Sequence, residues 1–192
     1  TLFDEFVGGD EVSCIVTPYD GMMEGTPMSD TITIDNTPPT LANVSLSLES
    51  ASTLDDIDCV LGETHDDDGT MVFTTTYSWE INGAVHGTSD TTLLSTEHQK
   101  GDIISCSASI SDTIASSDTQ TSPTLTIENS APTLEMVVIS PAVAFSTDTL
   151  TCTPSGYLDA DGDTDETNFE WFVNEVSVSH VQTINGLFVG GD

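Results

Sequence analysis

Two short acidic loops are the places in this sequence where residue type and spacing could do chemistry. Asp66-Asp67-Asp68-Gly69-Thr70 starts seven residues after Cys59, and Asp159-Ala160-Asp161-Gly162-Asp163 starts seven residues after Cys152. Their shared pattern is D-x-D-G-[DT]. Alternating carboxylates around a glycine turn let several oxygens converge on one point, the arrangement a hard cation such as Ca²⁺ requires at ligand distances of about 2.3 to 2.6 Å. Without a cation the arrangement is costly, because two carboxylates ~4 Å apart repel by about 4 kcal/mol at an effective dielectric near 20. A bound ion reverses that sign. The plainer reading is that these are solvated turns, which Asp and Gly favour through local hydrogen bonds and positive φ.

The elements that must hold these loops read as all-β. Val44 to Leu48, Thr53 to Leu61, Thr75 to Asn82, Thr91 to Ser95, Gly101 to Ile110 and Thr124 to Glu128 read as strands, many of them alternating, with Ser, Thr, Asp and Gly between them. No stretch sustains a helical period. Six or seven strands in a unit of about 90 residues match the size of an immunoglobulin-like Greek-key β-sandwich, and Cys59, Trp79 and Cys106 stand in the Cys…Trp…Cys order of that fold. In such a domain the disulfide joins the two sheets and the Trp packs against it, so a Cys59–Cys106 bridge is expected. A metal or nucleophilic role fits poorly, since no C-x-x-C occurs and His65, His86, His98 and His180 stand apart from the cysteines.

The chain repeats itself. Gly9-Asp10-Glu11-Val12-Ser13-Cys14 matches Gly101-Asp102-Ile103-Ile104-Ser105-Cys106 at an offset of 92 residues, and Ile32 to Thr40 matches Leu125 to Thr133 at 93. Phe6-Val7-Gly8-Gly9-Asp10 returns letter for letter as Phe188-Val189-Gly190-Gly191-Asp192, 182 residues later. Self-similarity at a fixed period is the mark of an array. The frame therefore reads as a window on tandem domains: residues 1–37 are the last strands of one, 38–130 a complete one, and 131–192 the first strands of another. Cys14 and Cys152 then lack partners because the frame cuts their domains. A subunit that polymerises by lending its N-terminal strands to a neighbour is the competing reading. Residues 1–10 and 183–192 would then claim the same strand, so the window is preferred.

Six residues after Cys14 and Cys106 stand Asp20 and Asp112, a third recurring carboxylate. In an immunoglobulin-type sandwich the second-to-third-strand loop and the last hairpin loop gather at the end where the N-terminus enters. That places Asp35 and Asn36 near Asp66, Asp68 and Asp112, and Glu128 and Asn129 near Asp159, Asp161 and Asp163. Calcium held there would sit at a domain junction and stiffen the array.

These units resemble the immunoglobulin-like, PKD-like and cadherin-like repeats of large bacterial surface proteins. The residues that carry the likeness are Asp159-Ala160-Asp161-Gly162-Asp163 leading to Phe169-Glu170-Trp171, Gly9 to Gly21, and the linkers Ile34-Asp35-Asn36-Thr37-Pro38-Pro39 and Ile127-Glu128-Asn129-Ser130-Ala131-Pro132. The resemblance implies an exported multidomain adhesin, stalk or filament at the cell surface. Its partners would be neighbouring repeats of the same chain, with lateral or head-to-tail self-association. A full cadherin calcium set has further acidic motifs that this sequence does not place.

Composition narrows the partners. The chain has 33 acidic residues against one basic residue, Lys100, for a formal net charge of −32 over 192 residues. Nucleic acid and anionic membrane surfaces are excluded, since both need Lys and Arg to replace counterions. Hydrophobic residues still make up 36% of the chain, enough for packed cores. No apolar run approaches the ~20 residues of a membrane span, and no basic leader opens the sequence, which reads as mature or internal. No G-x-S-x-G elbow or phosphate loop occurs, so the chain is not read as an enzyme. Asn43-Val44-Ser45 matches a glycosylation acceptor, and Met22-Met23 is assigned no function. The expected function is a structural repeat of an extracellular fibre. The alternatives are an adhesin repeat that binds carbohydrate or a surface protein, and an accessory module of a secreted hydrolase.

Overall fold

The computed structural model describes residues 6–69 and 71–187. Thr70 and the Phe188–Asp192 recurrence lie outside the described residues. Every regular element among those described is a strand. The chain forms two compact units, Thr1–Ala51 with Asp55–Ile127, and Ser52–Leu54 with Glu128–Asp192.

The strands of the first unit, apart from Ser52 and Glu128, run in chain order as β1 (Glu11–Val16), β2 (Met28–Thr33), β3 (Thr40–Leu41), β4 (Val44–Leu46), β5 (Ala51–Ser52), β6 (Ile57–Leu61) and β7 (Thr64–His65). They continue as β8 (Thr74–Ile81), β9 (Ala84–Val85), β10 (Thr92–Leu93), β11 (Ile103–Ser111), β12 (Gln120–Thr121) and β13 (Leu125–Glu128). The second unit carries β14 (Met136–Ser140), β15 (Thr149–Ser155), β16 (Trp171–Val173), β17 (Val176–Ser179) and β18 (Thr183–Asn185).

In the first unit one sheet has the order β10-β6-β4 and another β5-β13-β11-β8-β9, with β12 also paired to β11. Side chains along a strand alternate between faces. Ile57 and Cys59 of β6 therefore turn inward on one sheet, and Ile104, Cys106, Ala108 and Ile110 of β11 turn inward on the other, where they share a core with Leu41, Val44, Leu93, Leu125 and Ile127. Cys59 and Cys106 are disulfide-bonded with Cα atoms 6.0 Å apart, and the bond ties the two sheets together. Trp79 on β8 sits in register with Cys106 and is 0% exposed. Its Nε1–H donates to the Asp90 carbonyl at 2.9 Å, so the buried indole keeps a partner.

The strand expected from Thr53 starts only at Ile57. Ala51–Ser52 instead pairs with β13, and a turn follows. Asp56 Oδ1 accepts the Ser95 N–H at 2.7 Å, and the Asp55 carbonyl accepts a hydrogen bond from His98 Nε2 at 3.0 Å. These bonds reach across 43 and 39 residues of chain, and they commit the Asp55 carbonyl to His98 and the Asp56 carboxylate to Ser95, so that the ladder begins only at Ile57.

The second unit repeats the registers of the first. Ile139 faces Cys152 as Leu46 faces Cys59, and Leu150 faces Ile184 as Ile57 faces Leu93. The Trp171 Nε1–H donates to the Val181 carbonyl at 2.8 Å, the counterpart of the Trp79 bond. Asn82 and Asn174 follow the two tryptophans with φ of 55° and 49°, a left-handed conformation that Asn tolerates in tight turns. Cys14 and Cys152 are free thiols.

Candidate cation-binding loops

The acidic loop of the second unit leaves β15 through Gly156 and is pinned to the incoming chain by a two-way bridge. The Thr133 N–H donates to the Leu158 carbonyl at 2.8 Å, and Leu158 N–H returns the bond at 3.0 Å. Asp159 Oδ1 then accepts the backbone N–H groups of Asp161 at 2.8 Å and Asp163 at 3.0 Å, folding the loop around its own carboxylate. Gly162 takes φ +74°, where a side chain would be strained. As a result Asp159, Asp161 and Asp163 each offer an oxygen within 4.8 Å of the others. Among the described residues this is the one grouping of three acidic, His or Cys ligands with that geometry.

The middle carboxylate has a second task. Asp161 Oδ2 accepts the Ser130 N–H at 2.6 Å, clamping the segment that leads into the unit. Asn129 Nδ2 donates to the Ser130 carbonyl at 2.8 Å, and the Thr53 hydroxyl donates to Asp161 Oδ1. The Ser130 hydroxyl oxygen is buried with no hydrogen-bond partner. Asn129, Tyr157, Asp159, Asp163 and Glu166 line one shallow depression. There the Tyr157 phenol is pushed above its usual pKa, first by burial and then by the negative charge of Asp159, Asp165, Asp163 and Glu166. Glu128, the other residue expected here, is exposed at the end of β13.

The first unit builds the same loop and uses its charges differently. Asp66 Oδ1 accepts the Asp68 N–H at 2.7 Å, and Gly69 has φ +81°. Asp68 accepts the Thr37 N–H at 2.5 Å through Oδ2, as Asp161 does with Ser130, and also the Gly8 N–H at 2.6 Å through Oδ1. Asp112 accepts the Ile114 and Ala115 N–H groups through Oδ1, each at 2.7 Å, and the Asn36 side-chain amide through Oδ2 at 2.9 Å. Its pKa is held below the ordinary carboxylate value by the Ala115 N–H first and the Asn36 amide next. Asp66, Asp68 and Asp112 form no three-ligand grouping among the described residues. Asp35 is exposed. Asp66 Oδ2, however, is buried and has no hydrogen-bond partner.

Sequence reasoning therefore placed Asp68, Asp112 and Asn36 in one neighbourhood but missed their work as clamps. The signal available was the offset of 93 that carries Thr37-Asp68 onto Ser130-Asp161 as a pair. The missed partners are backbone groups of Gly8, Thr37 and Ser130, which no side-chain pattern announces.

No protein-family model matches this chain, and no curated protein matches it.

Proposed function

We propose that this chain is a structural repeat of an extracellular fibre, built from tandem immunoglobulin-like Greek-key sandwiches, in which calcium bound at Asp159, Asp161 and Asp163 stiffens the segment entering each domain. The observation that carries the reading is the convergence of three carboxylates on a loop that also clamps that segment through Ser130. The donors are all oxygen, as calcium prefers, and the partnerless Ser130 hydroxyl is a further oxygen beside the clamp. Asn129 and Glu128 are the residues of the strap that would complete the set.

The repeat reading is supported by the matching registers around Cys59 and Cys152 and by the matching indole bonds of Trp79 and Trp171. An extracellular or otherwise oxidising location is supported by the Cys59–Cys106 disulfide, since such bonds persist outside reducing compartments. The net charge of −32 keeps such arrays apart from anionic surfaces and draws divalent cations to them.

Small-angle scattering of the full chain tests the stiffening. Calcium narrows the distribution of interatomic distances relative to chelator, and identical distributions in the two buffers would defeat the proposal.

A further inference from the structure

We infer that Asn185 is a site of spontaneous deamidation, and that Asn82, in the same Asn-Gly dipeptide, is protected from it by Asp102 and Ile103. The inference is independent of the calcium reading.

The chain contains two Asn-Gly pairs, Asn82-Gly83 and Asn185-Gly186. Glycine has no Cβ, so it leaves its own backbone nitrogen unshielded and its backbone free to turn. In such a pair that nitrogen attacks the side-chain amide of the asparagine. The Gly N–H loses its proton to solvent base, the nitrogen bonds to Cγ, and the Cγ–Nδ2 bond breaks with ammonia as the leaving group. The resulting succinimide takes up water at either carbonyl and opens to aspartate or isoaspartate. Nothing is oxidised or reduced, and water is the only co-reactant. The asparagine Cγ must swing onto the next nitrogen, so a side chain bonded elsewhere has to break those bonds first.

Asn82 is held at three atoms: its N–H donates to the Ile103 carbonyl at 2.8 Å, its Oδ1 accepts the Ile103 N–H at 3.0 Å, and its Nδ2 donates to Asp102 Oδ1 at 2.8 Å. Asp102 is 8% exposed and also accepts the Gln99 N–H through Oδ2 at 2.9 Å, which fixes it in turn. Asn82 and Gly83 take φ of 55° and 75° in the turn that joins Ile81 to its partner Ala84. Asn-Gly is favoured in two-residue hairpin turns for that conformation. Here the turn comes with its asparagine already committed.

Asn185 lacks that restraint. It ends β18, it is exposed, and its side chain makes no hydrogen bond among the described residues. Gly186 has φ 64° and open space where a Cβ would stand. The exposure belongs to the position in the ladder. Ile184 faces Leu150 as Leu93 faces Ile57, which makes Leu94 the counterpart of Asn185. Leu94 is 48% exposed in the first unit, where both sheets and the disulfide are present. Gly186 is then the counterpart of Ser95, whose N–H is tied to Asp56 Oδ1 at 2.7 Å. Thr149 stands at the place of Asp56 and offers no carboxylate to the Gly186 N–H.

The full chain is aged in mildly alkaline buffer at physiological temperature, once folded and once in denaturing urea with reductant, and deamidation is mapped by proteolysis and mass spectrometry. In the folded chain Asn185 is expected to convert at least about ten times faster than Asn82, the factor that one hydrogen bond to a charged acceptor supports. In urea the two sites are expected to convert at similar rates, since each is then an Asn-Gly pair and nothing more. Equal rates in the folded chain, an Asn185 that stays intact, or a difference that survives in urea would overturn the inference. Asp102→Ala, checked for folding by circular dichroism and by its Cys59–Cys106 peptide, should speed conversion at Asn82 and leave Asn185 unchanged. A folded variant whose Asn82 converts no faster than that of the wild type would overturn the role of Asp102. The wild-type comparison decides the rest even where that variant does not fold.

Discussion

Asp161 accepts the backbone N–H of Ser130 across 31 residues of chain, and Asp68 accepts that of Thr37 across the same 31. In both units the central aspartate of the acidic loop thus holds the strap that enters it, independently of any ion. A hydrogen bond to a charged acceptor contributes roughly 1.5 to 3 kcal/mol. Asp68→Ala, which strands the Gly8 and Thr37 N–H groups together, is expected to lower the unfolding free energy by about 2 to 3 kcal/mol in urea denaturation. A change below ~0.5 kcal/mol would mean water replaces the carboxylate without loss.

Gly8 makes the clamp possible by close approach. A Cβ on it would lie 2.9 Å from the Asn36 Cα and 2.9 Å from Asp68 Oδ2, closer than such atoms come. Gly8→Ala is expected to push the strap off Asp68 and destabilise the first unit, with hydrogen exchange at the Thr37 amide accelerating at least about tenfold, since a loss of 1.4 kcal/mol corresponds to that factor. Unchanged exchange would show that the strap can slide.

The disulfide should carry much of the first unit's stability. Its closed loop spans 47 residues, for which loop-closure entropy gives about 4 kcal/mol. The double variant Cys59→Ala/Cys106→Ala is expected to lose stability of that order against denaturant. The chain should keep its all-β circular dichroism in the absence of denaturant; retention of full stability would contradict the inter-sheet role.

Asp112 sets a pH dependence whose sign is fixed. Its folded pKa lies below the ordinary value because the Ala115 N–H and the Asn36 amide stabilise the carboxylate. Between the folded and unfolded values the unfolded chain binds more protons, so stability rises with pH there. This contribution is fully present above the unfolded value of about 3.9 and disappears as pH falls through the folded one. Asp112→Asn should flatten that part of the acid-unfolding profile, and an unaltered slope would place the dependence on other carboxylates.

The core of the first unit was legible because few residue types fill it and they alternate: Ile57, Cys59, Ile104, Cys106 and Ile110 are buried on strands where the residues between them are polar or small. Trp79 was legible from its place between two cysteines. The strand start at Thr53 was misread because Asp55 and Asp56 spend their backbone carbonyl and carboxylate on His98 and Ser95, contacts made across long stretches of chain. The loops themselves were visible as a pattern, but the division of labour inside them was not. Asp159 turns the loop, Asp161 holds the strap and Asp163 is left exposed, and those differences come from backbone donors that carry no letter in the sequence.

Calcium titration of the full chain tests the central claim most directly. Calorimetry in chelated buffer is expected to show binding at about 10⁻⁴ to 10⁻³ M, the range of extracellular modules. At about 10 mM calcium, ten to a hundred times that constant, linkage raises the unfolding free energy by roughly 1.4 to 2.7 kcal/mol. Asp159→Asn/Asp163→Asn should remove both the heat and the stabilisation while the Ser130 clamp and the Cys59–Cys106 bond persist. A chain that melts identically with calcium and with chelator, and releases no heat on titration, would show that the three carboxylates are solvated turns and nothing more.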